Sequence, residues 1–318
     1  MTRSMIWLAV SVLALSGCES PSNSSDGNGT NAIGDSGSAP TVAPQPFLND
    51  TGVTAYVDLY DYQAAGSFTT QNATPMVVET LSTEPTNAPD QDASLGRDNS
   101  ANVTDSDGHV GFSFTKLDGN GQALADQTIP ASPWDPMDPP WQCVKDNQTN
   151  LVWEVKISSL QELRGRDASF TWYNTDPDTN GGYEGTPNGG QCKSSVACDT
   201  QSYIEHMNNL NNGQGLCGYN DWRLPTMAEL RSIMDYSVTP PADSTDPTLI
   251  DTTVNVLLID GNYFPNTAPE DYWSSQTVIQ AYDNTPGDRA WQLHFDSGET
   301  TTHSKAATSV HIRLVRGG

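Results

Sequence analysis

Basic side chains are the scarcest feature of this 318-residue chain, with 14 Lys and Arg against 39 Asp and Glu and a formal net charge of −25. Phosphate contacts need clustered Lys and Arg, so this balance excludes a nucleic-acid binder. It also excludes docking on anionic lipid through a polybasic face. No apolar run approaches the roughly 18 residues that cross a bilayer. Cys-x-x-Cys is missing, which removes the commonest zinc arrangement. His109, His206, His294, His303 and His311 show no His-Glu-x-x-His or other compact ligand spacing. After residue 46 there is no phosphate loop, dinucleotide fingerprint or nucleophile elbow.

What is present begins with an address. Arg3 precedes an apolar run, Ile6–Leu15, with the proportions of a signal peptide. Leu15-Ser16-Gly17-Cys18 resembles the lipobox of bacterial lipoproteins. That resemblance implies cleavage before Cys18, acylation of Cys18, and a lipid anchor at the outer membrane or cell surface. Residues 19–46 follow with Ile33 and Val42 as their only large apolar residues. They cannot bury enough surface to offset chain entropy and read as a disordered tether. Gly34-Asp35-Ser36-Gly37 within it matches a protease nucleophile motif, but that chemistry needs the Ser on a rigid turn beside a packed His and Asp.

Residues 47–140 read as a strand-and-loop lead-in. Val53–Tyr60 and Gly111–Leu117 are strand candidates, the second with Phe112 and Phe114 on one face. Asp118-Gly-Asn-Gly121 is a tight-turn signature. Residues 71–109 read as long irregular loop, and Ser132–Pro140 as a proline-stiffened connector. Residues 141–318 are better patterned. Leu151–Val155, Phe170–Tyr173, Tyr272–Ser275, Arg289–Phe295 and Val310–Arg316 are expected strands. A helix is expected from Asp199 or Thr200, with Tyr203, Ile204, Met207 and Leu210 on one face and Asn211-Asn-Gly213 as its stop. Thr226-Met-Ala-Glu229 is a capping box opening a second helix, with Met227, Leu230, Ile233 and Met234 as its buried stripe. Short strands with two short helices predict an α+β domain.

Five strings in order carry a family resemblance. They are Cys143–Lys156, Leu216–Thr226 with Glu229-Leu230, Tyr272-Trp-Ser-Ser275, Trp291–Gly298 and Ile312–Arg316. Together they resemble the family of the C-terminal domain of the Legionella collagen-like adhesin. Leu48–Gly52, Gln91-Asp92, Gly96–Asp98 and Gly111–Asp118 resemble the lead-in of its lipoprotein members. Arg223-Leu-Pro-Thr-x-x-Glu229 also resembles the formylglycine-generating enzymes, a variant of the C-type-lectin-like fold. The resemblance implies that fold, and a surface role in adhesion or glycan binding. Those enzymes use a Cys pair near the C-terminus, whereas here no Cys follows Cys217, so their chemistry is not carried over. The related adhesin domain is associated with sulfated glycosaminoglycans. A sulfated polymer needs a basic face, and residues 141–318 hold 22 acids against 11 bases.

Cys143, Cys192, Cys198 and Cys217 remain after lipidation, an even number that reads as disulfides in an exported chain. Three pairings are open, of which Cys192–Cys198 with Cys143–Cys217 is the expected one. Asp176-Pro-Asp-Thr-Asn-Gly181 matches half of an EF-hand loop, and Pro187 stands where the bidentate Glu belongs. Asp176, Asp178, Asn180 and Glu184 are therefore the candidate metal ligands, and calcium the one candidate cofactor. Solvated turns are the competing reading. Trp172 and Tyr173, next to that loop, are the candidate stacking pair for a sugar. Asp221 and Arg223 flank Trp222, with Arg223 expected to bridge carboxylates and fix its loop. The expectation is a lipid-anchored surface binding protein without catalysis, its partner a glycan or a surface protein. The alternatives are a structural envelope lipoprotein and an enzyme of the formylglycine-generating type.

Overall fold

The pairing of Phe112 with Phe114 sets the first strand. Both are buried, their rings stack 5.5 Å apart, and Phe114–Leu117 forms β1. The turn that follows is built as its sequence requires. Asp118 Oδ1 accepts from the amides of Asn120 and Gln122, and Gly121 takes φ +76°. A Cβ there would lie 2.5 Å from the Cys217 carbonyl oxygen, so only glycine fits. The computed structural model describes residues 106–109, 111–128, 140–158, 162–237, 257–279 and 286–317, all within one compact unit, Pro46–Gly318. The expectations for Cys18, the 19–46 tether, Val53–Tyr60, most of 71–109 and most of Ser132–Pro140 lie outside these residues.

Strands β2 (Cys143–Asp146), β3 (Val152–Glu154) and β7 (Val315–Arg316) join β1 in an antiparallel sheet of order β1-β2-β3-β7. Strand β1 comes from the lead-in and lies directly on β2, with Leu117 opposite Cys143. A second antiparallel sheet has the order β4-β5-β6, from Asp271–Val278, Arg289–His294 and Thr300–Ser304. With two helices among the described residues, this is an α+β fold.

Strands β1, β2 and β3 bury residues on both faces, and so do the first half of β4 and part of β5, whereas β6 has no buried residue. Phe114, Val144, Trp153, Tyr272 and Leu293 enter one apolar cluster. Leu117, Cys143, Val152, Trp273 and Ala290 enter the other. Successive strand residues point to opposite sides, so neighbours such as Val152 and Trp153 feed different cores. The expected Val310–Arg316 strand differs for this reason. Val310, Ile312 and Leu314 are buried, and so are the alternating His311, Arg313 and Val315. Only Val315–Arg316 forms a strand, because the segment crosses between the sheets. His311 exchanges backbone hydrogen bonds with Asp271 and Trp273 of β4, while Leu314 accepts from Glu154 of β3.

Helix α1 (Thr200–Gly213) starts where expected, its N-cap Asp199 accepting from the Ser202 amide. Tyr203 and Met207 are buried. Asn211 and Asn212 adopt left-handed φ values of 52° and 60°, so helical geometry stops at the predicted Asn-Asn-Gly. Helix α2 (Met227–Arg231) carries both hydrogen bonds of the capping box, and Met227, Leu230, Ile233 and Met234 are buried. Phe170–Tyr173 is extended but is not a strand of either sheet. Thr171 bridges to Asp199 and Tyr173 to Gly185, while Phe170 and Trp172 donate to Val310 and Lys305. The cysteines pair as Cys143–Cys217 and Cys192–Cys198. The first ties β2 to the loop after α1.

Candidate functional site

The loop after Trp172 was the first candidate. Trp172 is 1% exposed. Its indole donates to the Ser274 carbonyl, and the Lys305 ammonium lies 3.9 Å from its ring centroid. The expected stacking platform is thus covered, and Trp172 is a core residue. Tyr173 is half-buried, with its amide on the Thr200 hydroxyl. In the acidic loop, Asp176 accepts from the Asp178 amide and the Thr179 hydroxyl. Asn180 is buried and accepts from the Gly182 amide, and Glu184 is exposed. The inside of the loop holds an ammonium: Lys305 Nζ donates to the carbonyls of Asn180 and Tyr183 at 2.7 and 2.6 Å. Burial pushes Lys305 down to about 8. Among the described residues, no three His, Cys, Asp or Glu side chains converge as a metal set.

Other charged groups are engaged with one another. Arg223 meets both Glu229 oxygens at 2.9 and 2.6 Å and donates to the Gly317 carbonyl, fixing its loop as expected. Arg316 meets both Asp221 oxygens at 3.0 and 2.8 Å and lies over the Tyr219 ring. Beneath β3, Glu154 is fully buried. It accepts from Lys156 at 2.9 Å, from the Tyr203 hydroxyl and from the Leu314 amide. Burial raises the Glu154 carboxyl, but Lys156, Arg164, Tyr203 and Leu314 outweigh it and hold it below the usual range. Burial likewise pushes Lys156 down to about 8 against the pull of Glu154. Arg313 completes the network by donating to the Glu154 carbonyl and Thr267. Sequence reasoning missed it, although a Glu inside Leu-Val-Trp-Glu-Val was a signal, since buried charge needs partners.

A Ser, a His and an Asp also come together. His109 Nδ1 lies 2.8 Å from Asp235 Oδ2 and 3.3 Å from Ser237 Oγ, and Ser237 donates to Asp235. Carboxylate and hydroxyl thus face the same ring nitrogen. Acyl transfer needs them on opposite nitrogens, with the base between orienter and nucleophile. This arrangement fixes loops; it does not activate Ser237.

The remaining candidate is a cleft of about 320 Å³ lined by Gly119, Asn120, Gln142, Asn211, Gln214 and Gly218. It has no charged lining residue. One wall is the turn after β1, and Gln142 just precedes β2. The other wall is the loop from the break in α1 to Gly218. That loop is held in unusual backbone geometry, with Asn211, Gly213, Gly215, Cys217 and Gly218 all at positive φ. A Cβ on Gly215 would fall 1.7 Å from the Tyr219 carbonyl oxygen, and one on Gly218 would fall 3.2 Å from that of Asn120. The walls therefore touch through glycines, and the Cys143–Cys217 bridge locks them. Gln142 Oε1 accepts a long hydrogen bond from Arg164 at 3.4 Å. Sequence reasoning marked Asp118–Gly121 as a turn, with Asp118 and Asn120 as an oxygen-rich pair, and Asn211–Gly213 as a helix stop. The expected disulfide was the one signal that they meet.

The sequence model of the Lcl C-terminal domain family matches residues 142–316. No curated protein and no solved structure matches the chain.

Proposed function

The chain belongs to the Lcl C-terminal domain family, and from that membership we propose that it is a surface binding protein, with a glycan or a surface protein as its partner and no catalysis. Cys18 is its lipid anchor at the outer membrane or cell surface, and residues 19–46 are the tether. The folded part is C-type-lectin-like, a reading supported by two antiparallel sheets flanked by two short helices.

The observation that carries the proposal is the uncharged cleft on a chain of net charge −25. Its walls are cross-linked, and no charged residue lines it. A preformed polar recess suits binding, because little order has to be gained on association. The absence of any Cys after Cys217 counts against the formylglycine-generating chemistry. The test is a glycan array probed with soluble residues 46–318, with and without calcium. Binding above background to a defined set of glycans is expected. No binding under either condition would overturn the glycan reading and favour a structural envelope lipoprotein.

A further inference from the structure

Four of the six residues lining the cleft carry or adjoin carboxamides, and this chemistry restricts the ligand further than the reading above. We infer that the cleft is the binding site for an uncharged sugar, one or two residues of a neutral glycan; the inference rests on the proposal that this is a surface binding protein. Asn120, Gln142, Asn211 and Gln214 bring primary amides to one recess. Each amide presents an acceptor oxygen and two donor hydrogens side by side. Neighbouring hydroxyls on a sugar ring donate and accept in the same way. Arg164 already occupies Gln142 Oε1, Asn211 Nδ2 donates to the Gly215 carbonyl, and Asn120 bonds the Asp118 carboxylate, so Gln214 offers a full donor–acceptor pair and the other three offer their remaining donors and acceptors. The remaining lining residues are Gly119 and Gly218, which leave backbone within reach of a ligand.

The charged side chains next to the lining residues are hydrogen-bonded within the fold. Asp118 accepts from the Asn120 and Gln122 amides. Arg164 donates to the Gln142 side chain and to the Gln142 and Val155 carbonyls. Arg316 is held by Asp221. A sulfate or carboxylate entering the cleft would meet no free cation among its lining residues, and would lose hydration without a counter-charge. An amine would likewise meet no carboxylate in the lining. A volume of about 320 Å³ is at the small end of the roughly 300–1,000 Å³ range for small-molecule sites, which limits occupancy to a chain end or a short stretch.

The cleft also straddles a boundary. The family match starts at Gln142, so Gln142, Asn211, Gln214 and Gly218 lie within it, while Gly119 and Asn120 lie before it. Strand β1 brings them into place by pairing with β2. The site is therefore a composite of the matched domain and this chain's lead-in, to which the lead-in contributes Gly119 and Asn120.

The experiment uses residues 46–318 and NMR titration with methyl glycosides of glucose, galactose, mannose and N-acetylglucosamine, alongside sulfated and sialylated sugars. Asn120→Ala and Gln214→Ala change exposed side chains, and an unchanged melting temperature checks their fold. At least one neutral glycoside is expected to shift resonances of the cleft. Each substitution should weaken it about five- to tenfold, as loss of one or two hydrogen bonds does, and the double variant more. Neutral-sugar binding that ignores both substitutions would overturn the cleft while leaving the surface-binding reading intact. Binding confined to charged sugars would overturn the ligand class. Binding of no glycan at all, here and on the array, would remove the glycan reading itself.

Discussion

Cutting the Cys143–Cys217 bridge releases residues 74 apart in sequence, whereas Cys192–Cys198 closes a separation of only 6. In the chain-entropy treatment the stabilisation grows with the logarithm of the loop, giving about 4.5 kcal/mol for the first and about 2.2 kcal/mol for the second at 25 °C. Burial adds in the same direction, since Cys143 and Cys217 are both 0% exposed and Cys192 is only half-buried. The pair C143A/C217A should therefore lose about twice the stability of C192A/C198A. Urea unfolding of residues 46–318 measures this as a loss of extrapolated unfolding free energy, with a steeper slope expected because the uncrosslinked unfolded chain exposes more surface. Thermal midpoints should fall by about 9–18 °C and about 4–9 °C respectively, at about 2–4 °C per kcal/mol for a domain of this size. Equal losses, or a larger loss from the short loop, would refute the reasoning. The same double variant should weaken sugar binding, because the bridge joins the cleft's two walls.

Glu154→Ala should cost about 3–5 kcal/mol in urea unfolding, because it leaves the Lys156 ammonium buried without its partner; a loss under about 1 kcal/mol would show that water enters the network. Burial holds His311 at about 4, against about 6.5 for a free imidazole. The unfolded chain takes up this proton as pH falls through about 6.5, and the folded chain only near about 4. Stability therefore drops between those values, by up to about 3 kcal/mol from this group, and a stability–pH profile of His311→Gln should be flatter there. Thr226→Ala should cost about 1 kcal/mol through its cap. Glu229→Ala should cost roughly twice that, since it also removes the Arg223 pair; unfolding midpoints rank the two.

Local chemistry was legible in the sequence. The Thr226–Glu229 capping box and the Asp199 start depend on residues within one turn, and Phe112 with Phe114 marked the strand that became β1. Thr300–Ser304 was invisible because an all-polar edge strand has no alternation. Val310–Arg316 showed a period of two, yet its alternate residues are buried instead of solvated, since the segment lies between two cores. Trp172 sits beside an acidic loop in the sequence, but Lys305, far downstream, covers it. The cleft amides at 120, 142, 211 and 214 share no spacing. Only strand pairing and one disulfide bring them together, and neither leaves a periodic trace.

The pairing of β3 bears on how the molecule is made. Val152 meets Lys145 across a short turn, but on its other side it meets Arg316, so one edge of the sheet waits for a partner far downstream. Synthesis must pass residue 316 before this sheet can close and residues 311–315 can lie across the two cores. Folding of this unit is therefore a late and concerted event, slow in the way non-local strand pairing is slow. Until it happens, an apolar strand edge stays open to other chains, and proteolytic loss of Val315–Arg316 would reopen it.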